Sequence, residues 1–363
     1  MKKAGYLLLV IGACLILGGV ALLHQHPQTL KARELTKIGV VMNGSFADHS
    51  YTQAQYDGLA EAAANAGVRL DARDNVPVDE NFPKLVGELI ADGCEAIVCD
   101  NYLYDDYLLA LAEEYPAVEF YNGSGTVTAE NLSSYLGRLY QVRYLAGIVA
   151  GAQTRTNEIG YVLAFLTPET VRQLNAFTLG VKKANPGATV YVRCTEDWND
   201  SEKAAAVTAA LLDEHKVDVL SQHVNPISPM RVADERGVWT IGTNMDNRSL
   251  FPDTCLTCCV FNWEPFFAAR IDEIERNRSV GRHYWEGVRT GMVTLGSLSD
   301  AVSEETRGMV DAELERLLSG SYDVFFGPVT DNTGNERVRA GENLSDAHLL
   351  YEMNWFVDGV VME

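Results

Sequence analysis

Basic residues are scarce in this chain of 363 amino acids: 29 Lys and Arg stand against 50 Asp and Glu, a formal charge of −21 at pH 7. A nucleic-acid binder needs a basic patch to displace the counterions around phosphates, so that class is excluded. Adhesion to an anionic membrane surface fails on the same ground. Proline is sparse and no low-complexity tract occurs, which excludes a fibrous or mucin-like chain. Also missing are Gly-x-Ser-x-Gly, His-Glu-x-x-His and a Walker loop. Acidic pairs such as Asp105-Asp106 and Glu113-Glu114 sit where helix surfaces are expected and read as solvated charge. With no reactive group and partner in sight, neither an enzyme nor a cofactor is expected.

Zinc-finger spacing is absent too. Of seven cysteines, Cys94, Cys99 and Cys194 lie in segments that read as strands. Cys255-Leu-Thr-Cys258-Cys259 contains a Cys-x-x-Cys, which invites a redox or zinc reading. The segment reads as a strand, however, where positions i and i+3 face opposite sides, and no second Cys or His pair follows. Small buried core residues are the expectation. The Asp331-Asn332-Thr333-Gly334 run lacks the other ligands of a calcium loop and reads as a turn.

What remains is an ordinary globular composition, 47% hydrophobic and 22% charged, with length for roughly two domains. Lys2 and Lys3 precede an uncharged apolar run from Ala4 to Leu23. At about 1.5 Å per residue such a run just spans a bilayer core of about 30 Å. The flanking lysines predict that the N-terminus stays cytoplasmic and the rest lies outside. Residues 1–24 read as an uncleaved membrane anchor or as a lipoprotein signal, because Ile11-Gly12-Ala13-Cys14 resembles a lipobox with Cys14 as the lipidated residue. Residues 25–36 read as a polar linker, and a metal pair at His24 and His26 is the weaker reading. The expected location is the outer face of a bacterial cytoplasmic membrane.

Beyond the linker, apolar strands and amphipathic helices alternate. Strands are expected over 37–44, 68–76, 94–101 and 118–121, then 159–165, 189–193, 217–223 and 238–243. Helices are expected over 51–66, 81–92, 105–114, 139–153, 168–184, 201–215 and 226–236, with Gly67 and Gly93 as stops and Pro168 as a start. This rhythm predicts an α/β fold of two doubly wound parallel-sheet lobes, 37–152 and 157–243, both completed by parts of 244–363 and joined by a hinge.

In open α/β sheets ligands collect at the carboxyl ends of strands. The residues there include Phe46, Asp48 and Tyr51, Asn101 and Tyr102, Phe165, Trp198, His223 and Asn225, and Asn244 and Asp246. Aromatic faces can stack on a flat polar ring while amides and carboxylates pair with its donors and acceptors. Each has a plainer reading: Trp198, Phe46 and Phe165 as core, His223 as a satisfied buried imidazole, Asp246 as a cap, and Asp48 as the acid at the start of the next helix.

Three segments resemble the basic membrane protein family, substrate-binding proteins of ABC transporters with the type I periplasmic-binding fold. They are Gly39-Val40-Val41 through Ser45-Phe46-Ala47-Asp48-His49-Ser50-Tyr51 to Tyr56-Asp57-Gly58-Leu59; Arg138 to Gly151; and Ile159-Gly160-Tyr161-Val162 through Asn185-Pro186, Trp198-Asn199-Asp200, Gln222-His223 and Gly242 to Asp246. Phe326-Gly327-Pro328 and the tail from Met353 to Val360 extend the likeness. The resemblance implies a purine base or nucleoside as ligand, and an ABC permease and ATPase as partners. Asn225-Pro226-Ile227-Ser228 replaces the glycine turn of the nucleoside-binding branch, and Val260-Phe261-Asn262 lacks its lysine. The chain is therefore more similar to the branch associated with free bases. A membrane-anchored sensor feeding a signalling partner is the alternative.

Overall fold

A computed structural model describes residues 33–363. The apolar run, Cys14 and most of the expected linker lie outside the described residues. Two parallel sheets form the framework. The first contains β1 (Lys37–Val41), β2 (Arg69–Arg73), β3 (Ala96–Cys99), β4 (Glu119–Gly123), β5 (Leu132–Gly137) and β11 (His283–Glu286), in the order β2-β1-β3-β4-β5-β11. The second runs β15-β7-β6-β8-β9-β10-β12, with β6 (Glu158–Leu163), β7 (Thr189–Cys194), β8 (Val219–His223), β9 (Trp239–Asn244), β10 (Cys255–Phe261), β12 (Val293–Leu295) and β15 (Val360–Met362). Only β12 is antiparallel to its neighbour in these two sheets. A hairpin of β13 (Val329–Thr330) and β14 (Glu336–Val338) completes the strands.

Helices cover both faces of each sheet, so the central strands are apolar throughout rather than alternating. In the first lobe, Ile38, Val40, Ala96 and Val98 pack with α1 (Tyr51–Ala66) and α8 (Glu264–Glu275). Val41, Ile97 and Cys99 turn the other way, onto α2 (Phe82–Ala91) and α3 (Asp105–Glu114). In the second lobe, Ile159, Tyr161, Val190, Val219 and Ile241 face α4 (Tyr140–Gln153) and α5 (Pro168–Ala184). Val162 and Leu220 face α6 (Ser201–Glu214) and α7 (Ser228–Glu235). Helix α9 (Glu304–Leu318) lies against α4.

Residues 140–152 were expected in the first lobe, yet α4 packs in the second. Its partner is α5, and both helices are small-faced: a Cβ at Gly147 would stand 2.0 Å from the Phe177 carbonyl oxygen, and one at Gly180 1.9 Å from that of Tyr144. Only glycine permits this backbone approach. Strand β5 was not expected. Its short polar sequence (Leu-Ser-Ser-Tyr-Leu-Gly) carries little strand signal, and its partner β11 lies far along the chain. The 331–334 run forms the expected turn: Asp331 accepts from the Thr333 and Asn335 amides and from Arg337 Nε.

The chain crosses between lobes after β5, after β10 and after β11. The three crossings meet at Gly137, where a Cβ would lie 2.6 Å from the Phe261 ring and 2.7 Å from Val293. The missing side chain lets the connecting segments run side by side at the root of the cleft.

Candidate ligand-binding site

The carboxyl ends of β6, β7 and β8 bring one aromatic group together. The Phe165 ring lies 6.1 Å from that of Trp198, and Trp198 lies 5.7 Å from the His223 imidazole, edge to face. Trp198 sits on a loop held by its neighbours. Asp197 accepts from the amides of Asn199 and Asp200, Asn225 N–H donates to the Trp198 carbonyl, and Asn225 Nδ2 donates to Asn199 Oδ1 at 2.8 Å. Asn225 thus shapes the Trp198 loop.

Helix α5 begins at the same place. Thr167 caps it and Pro168 fills its first turn, which points Glu169 and Gln173 from one helix face toward His223. Gln173 Nε2 donates to Glu169 Oε1 at 3.0 Å, and Glu169 Oε1 stands 3.6 Å from His223 Nε2. Burial pushes the His223 pKa down to about 4, against the opposing charge of Glu169 and with help from Arg143 and Arg172. The ring is therefore neutral at pH 7, with one nitrogen a donor and the other an acceptor. Its Nδ1 is buried with no partner among the described residues, as is Gln173 Oε1. Buried polar atoms are normally paired, so two orphans at this aromatic cluster mark a place where a polar partner fits.

The first lobe faces this group through Tyr51. Its hydroxyl shares a hydrogen bond with Ser124 Oγ at 2.7 Å, and its ring packs edge-on to Trp263 at 6.2 Å. Burial raises the Tyr51 pKa, and the charges of Asp100 and Glu169 raise it further, so a carboxylate of each lobe acts on one phenol. Asp100 accepts from the Asn43 amide at 2.8 Å and from Thr52 Oγ1 at 3.0 Å, and burial pushes its pKa up to about 6. Trp263 Nε1 and Gln55 Nε2 are further buried donors with no partner among the described residues.

Other expected residues are used differently. Asp48 is the acid at the start of α1: its oxygens accept from the amides of Ser50, Thr52 and Gln53. Phe46 stacks on Tyr56 of α1, with ring centroids 3.9 Å apart. Asn101 accepts from the Leu103 amide and donates to Asn43 Oδ1, while Tyr102 is exposed. Asn244, in the left-handed region at φ 67°, donates to Ser50 Oγ at 2.9 Å and so bridges the lobes. Asn247 adds a second bridge to the His49 carbonyl. Asp246 stands apart from Trp198 and His223. It is exposed, accepts from the Arg248 amide, and lines a shallow pocket of about 390 Å³ with Arg248, Ser249, Pro252 and Ser297. Glu169, Gln173, Gln55 and Trp263 were not expected. For Glu169 and Gln173 the signal was present: a cap, a proline and an i, i+4 polar pair directly after a strand.

Two hinged α/β lobes with a polar and aromatic lining between them define a solute-binding protein. A family model described as ABC transporter substrate-binding protein PnrA-like matches residues 35–322, and the chain belongs to this family. A purine-binding protein of Brucella abortus is 28% identical over 331 residues, 91% of this chain and 94% of its own. A putative ABC transporter glucose-binding protein of Haloferax volcanii is 35% identical over 266 residues, 73% of this chain and 65% of its own. Among solved structures, a transcriptional activator of the comK gene from Bacillus halodurans superposes with TM-score 0.71 at 22% identity, over 79% of this chain and 99% of that one. A solute-binding protein of an ABC transporter system from Conexibacter woesei gives 0.68 at 21%, over 79% and 98%. These structures share the fold.

Proposed function

We propose that the chain delivers a purine base, or a related nucleoside, to an ABC permease, holding it between Trp198 and Phe165 on one side and Tyr51 on the other. The observation that carries this reading is the set of buried atoms by the rings with no partner among the described residues: His223 Nδ1 and the Gln173 carbonyl oxygen on one lobe, Trp263 Nε1 and Gln55 Nε2 on the other. A purine edge carries donors and acceptors in one plane and a face for stacking, which this lining complements. The purine-binding relative supports the ligand class. Closure of the two lobes would exclude water and strengthen each polar contact.

Calorimetric titration with adenine, guanine, hypoxanthine and glucose tests this. Saturable heat with a purine and none with glucose is the expected result; the reverse would assign the site to a sugar. The tether belongs to the same proposal: residues 1–24 hold the protein at the outer membrane face, by an anchor or through lipidated Cys14. Recovery of the protein in the soluble fraction of lysed cells would refute the tether.

A further inference from the structure

Strand alternation alone places Cys255 and Cys258 on opposite faces of β10. The structure does the reverse. Cys255 pairs with Thr240 and Cys258 with Gly242, positions two apart on β9, because the register slips between Cys255 and Thr257. Leu256 is the extra residue of a β-bulge, and it turns both thiols to the same side. Their sulfurs stand 3.6 Å apart, and both side chains are fully buried among Met230, Phe251, Ile227 and Val260. Gly242 makes the room: a Cβ there would lie 2.5 Å from Cys258 Sγ. Cys259, next in sequence, faces the opposite side, toward Arg143.

We infer that Cys255 and Cys258 are a dithiol site that an organic disulfide oxidises to an intrachain disulfide, with Cys259 excluded. Cys255 thiolate attacks one sulfur of the oxidant, forming a mixed disulfide and expelling one thiol. Cys258 thiolate then displaces the second thiol and closes the ring; the two protons leave with the two thiols. The order follows from the hydrogen bonds. Cys255 S–H reaches the Thr257 carbonyl, so Cys258 S–H is left to donate to Cys255 sulfur. That donation lowers the Cys255 pKa and raises that of Cys258. The bond would lock the bulge at the foot of segment 245–254, which begins beside Asn244 and carries Asn247, the two residues that bridge to the first lobe.

The test uses the full chain in detergent, reduced and freed of reductant. One sample meets oxidised glutathione while folded; a second is unfolded and refolded in its presence. Both are then unfolded with iodoacetamide without reductant and digested. At least one sample is expected to yield a peptide spanning 255–259 that has lost two hydrogens, about 2 Da, and carries a single alkyl group on Cys259. Protection only after refolding means that the bond forms before burial: it overturns the order of attack, which rests on hydrogen bonds of the folded strand, and supports the Cys255–Cys258 pairing. Three alkyl groups in both samples, or a bond that recruits Cys259, would overturn it. The Cys258→Ser variant should instead trap glutathione on Cys255.

Discussion

Trp198, His223 and Asp100 each carry one testable consequence. Stacking of a base on an aromatic side chain contributes about 1–3 kcal/mol. Trp198→Ala should therefore weaken purine binding roughly fivefold to hundredfold, read by calorimetry. Unchanged affinity would remove Trp198 from the site. His223 has its pKa depressed to about 4 by burial. Its contribution to folding is complete above the unfolded value and is lost as pH falls from about 6.5 toward 4. Binding that needs the neutral ring should be level between about pH 5.5 and 8 and fail only near pH 4. A binding midpoint near 6.5 would mean that the imidazole is solvated. Asp100 behaves in the opposite sense. Its pKa rises from 3.8 to about 6 on folding. The protonated acid is favoured in the fold, so stability falls as pH rises through this interval, by about 3 kcal/mol in total. His223 contributes a slope of opposite sign over much of this range, so the test is the difference between the two proteins. Relative to the unsubstituted chain, Asp100→Asn should gain stability as pH rises from about 4 to 7 in thermal melts, and a parallel pH dependence in both would show that Asp100 does not titrate there.

At the scale of elements, the contact between α4 and α5 is the most exacting in the second lobe. Gly147 and Gly180 place backbone against backbone, where no flexible side chain can yield. Gly147→Ala and Gly180→Ala should each cost about 1–3 kcal/mol of stability, read from denaturant unfolding. Gly67, which ends α1 at φ 74° with nothing near its Cβ position, gives a contrast: there the penalty of alanine is conformational rather than steric, and smaller. Equal losses at Gly67 and Gly147 would show that helix approach is not what selects glycine in α4.

For the whole molecule, the bridges from Asn244 to Ser50 and from Asn247 to His49 hold the lobes together across the cleft. Removing both, as Asn244→Ala with Asn247→Ala, should shift the unliganded protein toward an open form. Small-angle scattering would record a larger radius of gyration without ligand and recovery of the compact value at saturation. An unchanged radius would place closure elsewhere, in the crossings that meet at Gly137. Ligand affinity should also fall, because binding must then supply the closure these bridges now support.

The α/β class and two sheet-forming runs were legible in the linear chain, because a strand buried on both faces must be apolar and an amphipathic helix must show its period. So was the placing of Trp198 and His223 at strand ends of one sheet edge, where the fold brings their rings into contact; Asp246, expected with them, has no contact with either among the described residues. Tertiary structure alone decided the rest. It moved α4 to the second lobe, since glycine packing depends on which helix arrives opposite. It spent Asp48, Asn101 and Asn244 on caps and bridges, because a polar side chain takes whichever partner the fold brings within about 3 Å. It set Asp246 apart from the aromatic group and brought Glu169 and Gln173 to it. It also turned Cys255 and Cys258 to the same side, because a single extra residue in one strand reverses the face of everything before it.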